Sequence, residues 1–248
     1  MTQIESAQNP RLKAVRRLHT KRERARHGRF LAEGEDLTAA AEIAGRPALE
    51  GLRLAGSEIG GEQFFDVERS ALARVSALGS GTRVIGVYEQ RWGPALGPLC
   101  VYLHGVGDPG NVGTVLRSAE AFGASCVAFG PGCADPHGPK AVRASMGAIF
   151  ATALARVGDV SELPGEKIAL DGGAEEVLRG PEDGAGEAIT LLIGSERDGL
   201  PDGVLAASDR VARIPIATES LNAAMAATVA LYEMTRRGGR DIDTVPAS

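Results

Sequence analysis

The chain has 248 residues, which is enough for one or two domains with a large buried core. Its hydrophobic and charged fractions are typical of a soluble globular protein, and no apolar run is long enough for a transmembrane helix. The N-terminus lacks the apolar segment of a signal peptide, and the three cysteines form no C-x-x-C pair. We therefore expect a cytoplasmic protein with buried free thiols, no membrane contact and no bound metal.

The net charge of −5 conceals a basic N-terminus. Residues 1–30 contain nine Lys and Arg against two Glu, a charge of +7, so the remaining residues sum to −12. A basic segment on an acidic body is a common arrangement for contact with a polyanion such as RNA, although a solvated helix face also explains it. The candidate RNA-binding residues are Arg11, Lys13, Arg16, Arg17, Lys21 and Arg22.

The first ninety residues predict a small α/β unit. A helix begins at Asn9-Pro10, a cap followed by proline, buries Leu12, Val15 and Leu18, and ends near Gly28. Further elements are predicted as strands at 30–32, 52–55, 64–67 and 83–88 and as helices at 35–44 and 71–78. A Pro/Gly-rich segment follows and predicts a domain boundary. We assign residues 1–92 to a substrate (RNA) binding domain, 93–98 to a linker and 99–248 to a second domain.

After the linker, apolar strands alternate with helices. Strands are predicted at 99–104, 125–129, 168–171, 190–194 and 211–216, and helices at 112–122, 140–150, 174–178, 202–207 and after 222. Repeated βα units with nearly continuous apolar strands predict a parallel sheet covered on both faces. Ligands bind beyond the carboxyl ends of such strands, so we expect a site among the loops after 104, 129, 171, 194 and 216.

The last helix is apolar almost all round from Leu221 to Leu231 and rich in alanine, which predicts burial on every side. Ser220 and Asn222 stand at its start, where a helix N-terminus has free N–H groups. Polar residues at the start of an apolar, buried helix indicate a ligand-binding or catalytic site. The simpler alternative is that one of them only caps the helix.

The loop after the first strand of the second domain, GVGDPG at 105–110, matches G-x-G-x-x-G between a strand and a helix. A dinucleotide site would also need an acidic residue at the end of the next strand, and that strand ends Phe129-Gly130. Pro109 removes one N–H from the phosphate cradle. Both features argue against a nicotinamide-dependent oxidoreductase, which remains the rival interpretation of this loop.

Two further segments carry candidate chemistry. Gly113 precedes Arg117 by one helical turn, and we expect the glycine to leave space for the guanidinium; a surface pair of Arg117 with Glu120 is the alternative. In the loop 194–199, glycines at both ends permit close approach of the backbone to a ligand. An ordinary turn with Glu196 solvated is the alternative there.

Taken together, these segments resemble the ordered motifs of the SpoU (TrmH-like) family of RNA ribose 2′-O-methyltransferases, in the SPOUT superfamily. The matching patterns are Asn111-x-Gly113-x-x-x-Arg117, Gly194-x-Glu196-x-x-Gly199, and Ile214-Pro215 with Ser220-Leu221-Asn222. The first ninety residues look like the small ribosomal-protein-like substrate-binding domain of many members. The resemblance thus covers nearly the whole chain.

The resemblance implies a fold, a cofactor and a set of site residues. The implied fold is a parallel-sheet domain with a C-terminal trefoil knot, which forms a homodimer and binds S-adenosylmethionine in the knot loops. The implied cofactor-binding residues are Gly194, Ile214, Leu221, Asp171 and Ile216. The implied catalytic residue is Arg117, surrounded by Asn111, Glu196, Ser220 and Asn222.

The expected reaction is methyl transfer from S-adenosylmethionine to a ribose 2′-OH of RNA, above all 23S ribosomal RNA. A guanidinium group keeps its proton at neutral pH, so we expect Arg117 to stabilise charge instead of acting as a base. A tRNA methyltransferase and a non-catalytic RNA-binding protein on the same fold are the alternatives. The loop from Ile216 to Glu219 is shorter than the family pattern and lacks its usual glycine, which leaves its conformation open.

Overall fold

The computed structural model describes residues 4, 6, 8–77, 81–180, 188–218 and 220–236. The chain divides into two compact units. The first unit comprises 1–91, 108–117 and 134–151, and the second comprises 92–107, 118–133 and 152–248. The units interleave in sequence, whereas the domains 1–92 and 99–248 are contiguous stretches, and that division stays a prediction. Within the described ranges, no helix is long and apolar enough to cross a membrane.

The first unit contains a four-stranded sheet in the order β1-β4-β2-β3. The pairs β1–β4 and β2–β4 are antiparallel, and β2–β3 is parallel. The strands are β1 (Arg29–Glu33), β2 (Glu50–Leu54), β3 (Phe64–Val67) and β4 (Val84–Glu89). The helices are α1 (Pro10–Arg17), α2 (Lys21–His27), α3 (Glu35–Ile43), α4 (Arg69–Ala73), most of α5 (Pro109–Ala121), α6 (Pro139–Ala144) and α7 (Ala148–Ala151).

The single N-terminal helix expected from Asn9 to Gly28 is wrong, because the chain breaks between α1 and α2. Thr20 is extended and its hydroxyl accepts a hydrogen bond from Glu23 N at 3.4 Å, so it caps a new helix. The buried Arg24 side chain donates to the carbonyls of Leu18 and His19, at 3.0 and 2.8 Å, and satisfies the groups that the break exposes. The predicted burial of the leucines and valine of α1 is confirmed for Leu12, Val15 and Leu18.

The helix expected at 140–150 is likewise divided, into α6 and α7. Between these two helices, Met146 and Gly147 adopt positive φ angles of 50° and 103°. These angles lie outside the range of a right-handed α-helix. The helix expected at 71–78 is α4, which starts and ends earlier, and Leu78 lies outside the described residues.

The second unit contains a seven-stranded sheet in the order β7-β6-β5-β10-β8-β11-β9. Every strand pairing described in it is parallel, which confirms the predicted parallel α/β architecture. The strands are β5 (Leu99–Leu103), β6 (Cys126–Phe129), β7 (Ala153–Arg156), β8 (Glu166–Leu170), β9 (Glu176–Val177), β10 (Ile189–Ile193) and β11 (Arg210–Arg213). A 3₁₀ turn (Val160–Glu162) and the helices α8 (Asp202–Ala206) and α9 (Ala223–Arg236) complete the unit.

Two parts of this sheet differ from expectation. The helix expected at 174–178 is wrong: Glu176 and Val177 form β9 and pair in parallel with β11. The Glu176 carboxylate forms an ion pair with Arg210 of β11. The segment is too short to nucleate a helix, and it pairs with the exposed side of β11 instead. The edge strand β7 was not predicted at all, because its four residues ALAR carry no distinct period.

The expected burial of α9 on every side is also wrong. Ala227, Ala230 and Leu231 are fully buried, but Met225 and Tyr232 are 57% and 55% exposed. Val229, between them, is 41% exposed. These three residues recur at helical spacing and form an apolar stripe on the surface of the second unit, here called the α9 stripe.

Candidate functional site

A cleft lies at the carboxyl ends of β8, β10 and β11, with the start of α9 as one wall. All five expected cofactor-binding residues line it, and so do Glu196 and Ser220. The lining residues are Leu170, Asp171, Gly172, Ile193, Gly194, Ser195, Glu196, Gly199, Ile214, Ile216, Ser220, Leu221, Ala223 and Ala226. Three of the five loops singled out at the carboxyl edge, those after 171, 194 and 216, therefore converge on one cavity.

The loop 195–199 is closed on itself. Ser195 N donates to Gly199 O at 3.2 Å, Gly199 N donates to Ser195 O at 3.1 Å, and the Ser195 hydroxyl accepts from Asp198 N at 3.1 Å. A Cβ on Gly194 would overlap the carbonyl of Gly199 and lie 2.5 Å from Leu200 N. Gly194 is therefore required by the closure of the loop, which fixes the backbone at the mouth of the cleft.

Asn222 caps α9, the simpler of the two alternatives that the sequence offered, and its part in a functional site stays a prediction. Its Oδ1 accepts hydrogen bonds from Ala224 N at 3.0 Å and Met225 N at 3.3 Å, which caps α9. Its Nδ2 donates to Glu196 Oε1 at 3.4 Å. One amide thus holds the start of α9 and the carboxylate of the neighbouring loop together.

The cleft has apolar walls and few polar groups. Ile193, Ile214 and Leu221 supply apolar surface, and the carboxylates of Asp171 and Glu196 supply negative charge. Asp171 is fixed at the end of β8 because its Oδ1 accepts a hydrogen bond from Gly173 N at 2.8 Å. A concave, mostly apolar site with a few oriented polar groups is the usual form of a small-molecule site.

Sequence reasoning missed six of the lining residues and had singled out Gly199 as an end of the 194–199 loop. Leu170, Gly172, Ile193 and Ser195 are neighbours of predicted residues on the same strand ends and loop. Ala223 and Ala226 are three residues apart on α9, and their spacing could have identified the face of the helix that meets the cleft.

Asn111 and Arg117 belong to α5 in the first unit. The Arg117 side chain is exposed and has no hydrogen-bond or ion-pair partner among the described residues, so the alternative pairing with Glu120 is wrong. Burial raises the pKa of the Glu120 carboxyl. The grouping of Asn111 and Arg117 with the cleft residues stays a prediction.

The role expected for Gly113 is wrong. A Cβ on Gly113 would overlap Ala141 O and lie 2.5 Å from the Cβ of Ala144 and 2.9 Å from Ser145 N. The space beside Gly113 is therefore filled by α6, and the glycine serves the close packing of two helices instead of making room for Arg117.

The GVGDPG loop is unsuited to a phosphate at the start of α5. The Asp108 carboxylate accepts a hydrogen bond from Asn111 N at 2.9 Å, and the Asp108 carbonyl accepts one from Val112 N at 3.1 Å. An anionic side chain already occupies the helix N-terminus that would receive the pyrophosphate of a dinucleotide. This arrangement disfavours the oxidoreductase alternative.

The basic N-terminal helices present a smaller cationic surface than their sequence implies. Lys13, Arg16, Arg17, Lys21 and Arg22 are exposed and lack ion-pair partners among the described residues. Arg11 is exposed but lies 3.4 Å from Glu50 and stacks 3.5 Å over the ring of Phe65. Arg24 is buried in a 2.7 Å ion pair with Asp135, and Arg29 lies 3.9 Å from Glu50.

Residues 98–232 match the family model described as the SpoU rRNA Methylase family, and residues 9–86 match the MRM3-like substrate binding domain. The 23S rRNA (guanosine(2553)-2′-O)-methyltransferase RlmP of Bacillus subtilis is 31% identical, covering 94% of this chain and 99% of that protein. Among solved structures, an AdoMet-bound rRNA methyltransferase from Sinorhizobium meliloti aligns with a TM-score of 0.84 and 29% identity over 95% of this chain and 97% of that one. The SpoU methyltransferase AviRb from Streptomyces viridochromogenes aligns with a TM-score of 0.81 and 26% identity over 93% and 98% of the two chains.

Proposed function

We propose a function for this chain from the premise that it belongs to the SpoU rRNA methylase family. It is an RNA 2′-O-ribose methyltransferase that uses S-adenosylmethionine, and its substrate is ribosomal RNA, above all 23S rRNA. The observation that carries the proposal is the convergence of the 194–199 loop and the 214–222 segment on one cleft of the second unit. The match to the Bacillus subtilis enzyme over nearly the full length of both chains supports the choice of 23S rRNA.

The chemistry of the cleft fits S-adenosylmethionine. Ile193, Ile214 and Leu221 offer apolar surface to an adenine ring, and backbone groups of the closed 195–199 loop can hydrogen-bond its edge. The Asp171 carboxylate can accept hydrogen bonds from ribose hydroxyls, and together with Glu196 it favours a cationic ligand. The cofactor supplies an activated methyl group on its sulfonium.

The remaining requirement is to align a ribose 2′-OH with that methyl group and to stabilise the charge that develops on its oxygen. We assign the charge stabilisation to Arg117, whose guanidinium is exposed and without a protein partner among the described residues. Asn111 joins it from the same helix. Glu196, held by Asn222, and Ser220 position the acceptor from the cleft side.

RNA is recruited by the basic surface of α1 and α2 in the first unit. Its candidate cations Lys13, Arg16, Arg17, Lys21 and Arg22 are exposed and free to neutralise phosphates, and so is Arg26 of α2. Arg11 contributes less, because it is already engaged with Glu50 and Phe65. The match of residues 9–86 to a substrate binding domain supports the same assignment.

The functional molecule is a homodimer whose C-terminal segment is knotted, and it acts in the cytoplasm. The α9 stripe supports the dimer, since a soluble protein rarely leaves such apolar surface uncovered. The chain at Gly180 passes so close to α9 that a Cβ there would overlap the carbonyl oxygen of Glu233. Such close packing of the chain against α9 is consistent with the knot.

The test is transfer of labelled methyl from S-adenosylmethionine to purified 23S rRNA, 16S rRNA and tRNA in parallel. We expect RNA-dependent transfer with 23S rRNA as the preferred acceptor. Transfer to tRNA alone would support the tRNA alternative instead. Binding of RNA without any transfer, despite measurable cofactor affinity, would support the non-catalytic alternative.

A further inference from the structure

The cations of the second unit differ between the two edges of its sheet. At the amino edge, Lys167 lies 3.3 Å from Asp209, and Arg210 lies 3.4 Å from Glu166. At the carboxyl ends of β9, β10 and β11, three arginine side chains have no hydrogen-bond or ion-pair partner in the described part of the chain, namely those of Arg179, Arg197 and Arg213. Because the strands are parallel, the residues that follow β9 and β10 and the last residue of β11 lie at one edge, the edge of the cleft.

Arg197 is the one of these three that stands within a loop lining the cleft. Its neighbours Ser195, Glu196 and Gly199 all contribute to the lining, and Arg197 itself is exposed at the tip of the turn. The adjacent carboxylates of Glu196 and Asp198 form no ion pair with it. The cation is therefore presented at the rim of the cleft by a backbone that its own hydrogen bonds already fix.

We propose that Arg197 binds a phosphate of the RNA strand that carries the target ribose. The inference rests on the proposed function, because a ribose whose 2′-OH meets the cleft must bring its flanking phosphates to the rim. A guanidinium presents paired N–H donors that match two phosphate oxygens. Since the loop is closed before RNA arrives, only the side chain has to be ordered on binding, which lowers the entropic cost.

The α-carboxylate of the cofactor is the other anion that the Arg197 guanidinium could bind. An Arg197 variant behaves differently in the two cases. Loss of a phosphate contact weakens RNA binding and reduces its salt dependence, whereas loss of a carboxylate contact weakens cofactor binding and leaves the RNA salt slope unchanged.

The experiment compares wild type, Arg197→Gln and Arg197→Lys, with Arg156→Gln as the matched control. Arg156 is exposed at the carboxyl end of the edge strand β7 and lies 4.1 Å over the ring of Trp92, away from β10 in the strand order. The measurements are S-adenosylmethionine affinity, the dependence of rRNA affinity on salt concentration, and the KM and kcat for methyl transfer to rRNA.

For Arg197→Gln we expect the slope of log K against log salt to fall by about 0.7–0.9, as for the loss of one phosphate contact. We also expect a several-fold higher KM for rRNA and unchanged cofactor affinity. Arg197→Lys should restore most of the slope, and Arg156→Gln should match wild type. An unchanged slope, or weakened cofactor binding instead, would overturn the proposal. If wild type bound rRNA without methylating it, the proposed function would fail, while the salt slope would still decide the role of Arg197.

Discussion

At the scale of single residues, Asn222 links a helix cap to a neighbouring loop. Its carbonyl oxygen caps α9, and its amide nitrogen reaches Glu196 on another loop. The sequence offered a cap and a site residue as alternatives, and it did not predict the bond to Glu196. It could not show that both ends of one amide are used, because that depends on where the 194–199 loop lies in the fold.

Substitutions at Asn222 can separate the two roles. Asn222→Asp keeps an oxygen acceptor for the helix N–H groups but replaces the donor to Glu196 with a like charge. We expect it to retain the free energy of unfolding and to lose most methyl transfer. Asn222→Ala should lose transfer and also roughly 1 kcal/mol of stability, the usual value of a helix cap. Urea unfolding and turnover measure the two effects. Full activity in Asn222→Asp would show that the bond to Glu196 is dispensable.

Arg117 is the residue whose role depends most on the family resemblance. Arg117→Ala should abolish methyl transfer, because it removes the charge that stabilises the developing oxyanion. Cofactor affinity should stay within a few-fold, since Arg117 does not line the cleft. Arg74→Ala, another exposed arginine of the first unit, is the control and should be fully active. Retained turnover in Arg117→Ala would remove the residue from the mechanism.

At the scale of elements, the packing of α5 on α6 depends on Gly113. The sequence singled out this glycine because it precedes Arg117 by one helical turn. The reason assigned to it was wrong, because the helix that approaches Gly113 follows it by some thirty residues in the chain. A pattern confined to one helix contains no information about its neighbour.

The close approach at Gly113 predicts a measurable cost for a single methyl group. Gly113→Ala should destabilise the protein by about 1–3 kcal/mol, because the added Cβ overlaps the backbone of α6. Gly203→Ala, in α8, is the matched control, since its Cβ would have no atom within 4 Å. It should be neutral or stabilise by roughly 0.5–1 kcal/mol through helix propensity. Urea unfolding of both variants measures the difference, and equal stabilities would contradict the packing argument.

Among the elements that sequence patterns predicted correctly are the central apolar strands, where burial on both faces leaves long apolar runs. Two of the failures share a cause, which is that tertiary contacts decide the outcome. The break after α1 is stabilised by Arg24 reaching back to two carbonyls, and β9 exists because β11 offers it a partner. Neither contact leaves a periodic signal in the sequence.

At the scale of the whole molecule, the α9 stripe bears on assembly. The sequence showed that α9 is apolar almost all round, but it could not show which face stays exposed. Among the described residues Met225, Val229 and Tyr232 form that face, and the Tyr232 ring also meets Phe122 edge-on with centroids 6.2 Å apart. We attribute it to a dimer interface, in which the same patch on two chains is buried together.

The proposed dimer predicts that introducing a charge into the α9 stripe lowers the mass of the protein in solution. Val229→Lys should convert a dimer to a monomer in size-exclusion chromatography with light scattering, because a buried unpaired charge is costly. Ile43→Lys is the control, since Ile43 is 87% exposed on α3 of the first unit, and it should leave the mass unchanged. A monomeric wild type, or a dimeric Val229→Lys, would count against this interface.

The basic surface predicts the salt dependence of RNA binding. Removing the N-terminal segment is a poor test, because Leu12, Val15 and Leu18 are part of the core of the first unit. Changing Lys13, Arg16, Arg17, Lys21 and Arg22 to Gln keeps that core. We expect the slope of log K against log salt to fall by roughly 0.7–0.9 for each lost phosphate contact. Arg69→Gln with Arg74→Gln, at the first residue and the C-cap of α4, is the control. An unchanged slope in the five-residue variant would exclude this surface from RNA binding.

The central claim is that the chain methylates a ribose 2′-OH of ribosomal RNA. The most direct measurement is to incubate 23S rRNA with the protein and methyl-labelled S-adenosylmethionine, digest the RNA to nucleosides, and identify the labelled product by mass spectrometry. We predict one 2′-O-methylated nucleoside, formed by wild type and absent with Arg117→Ala. Label on a base, or no label in RNA while the cofactor binds, would contradict the account.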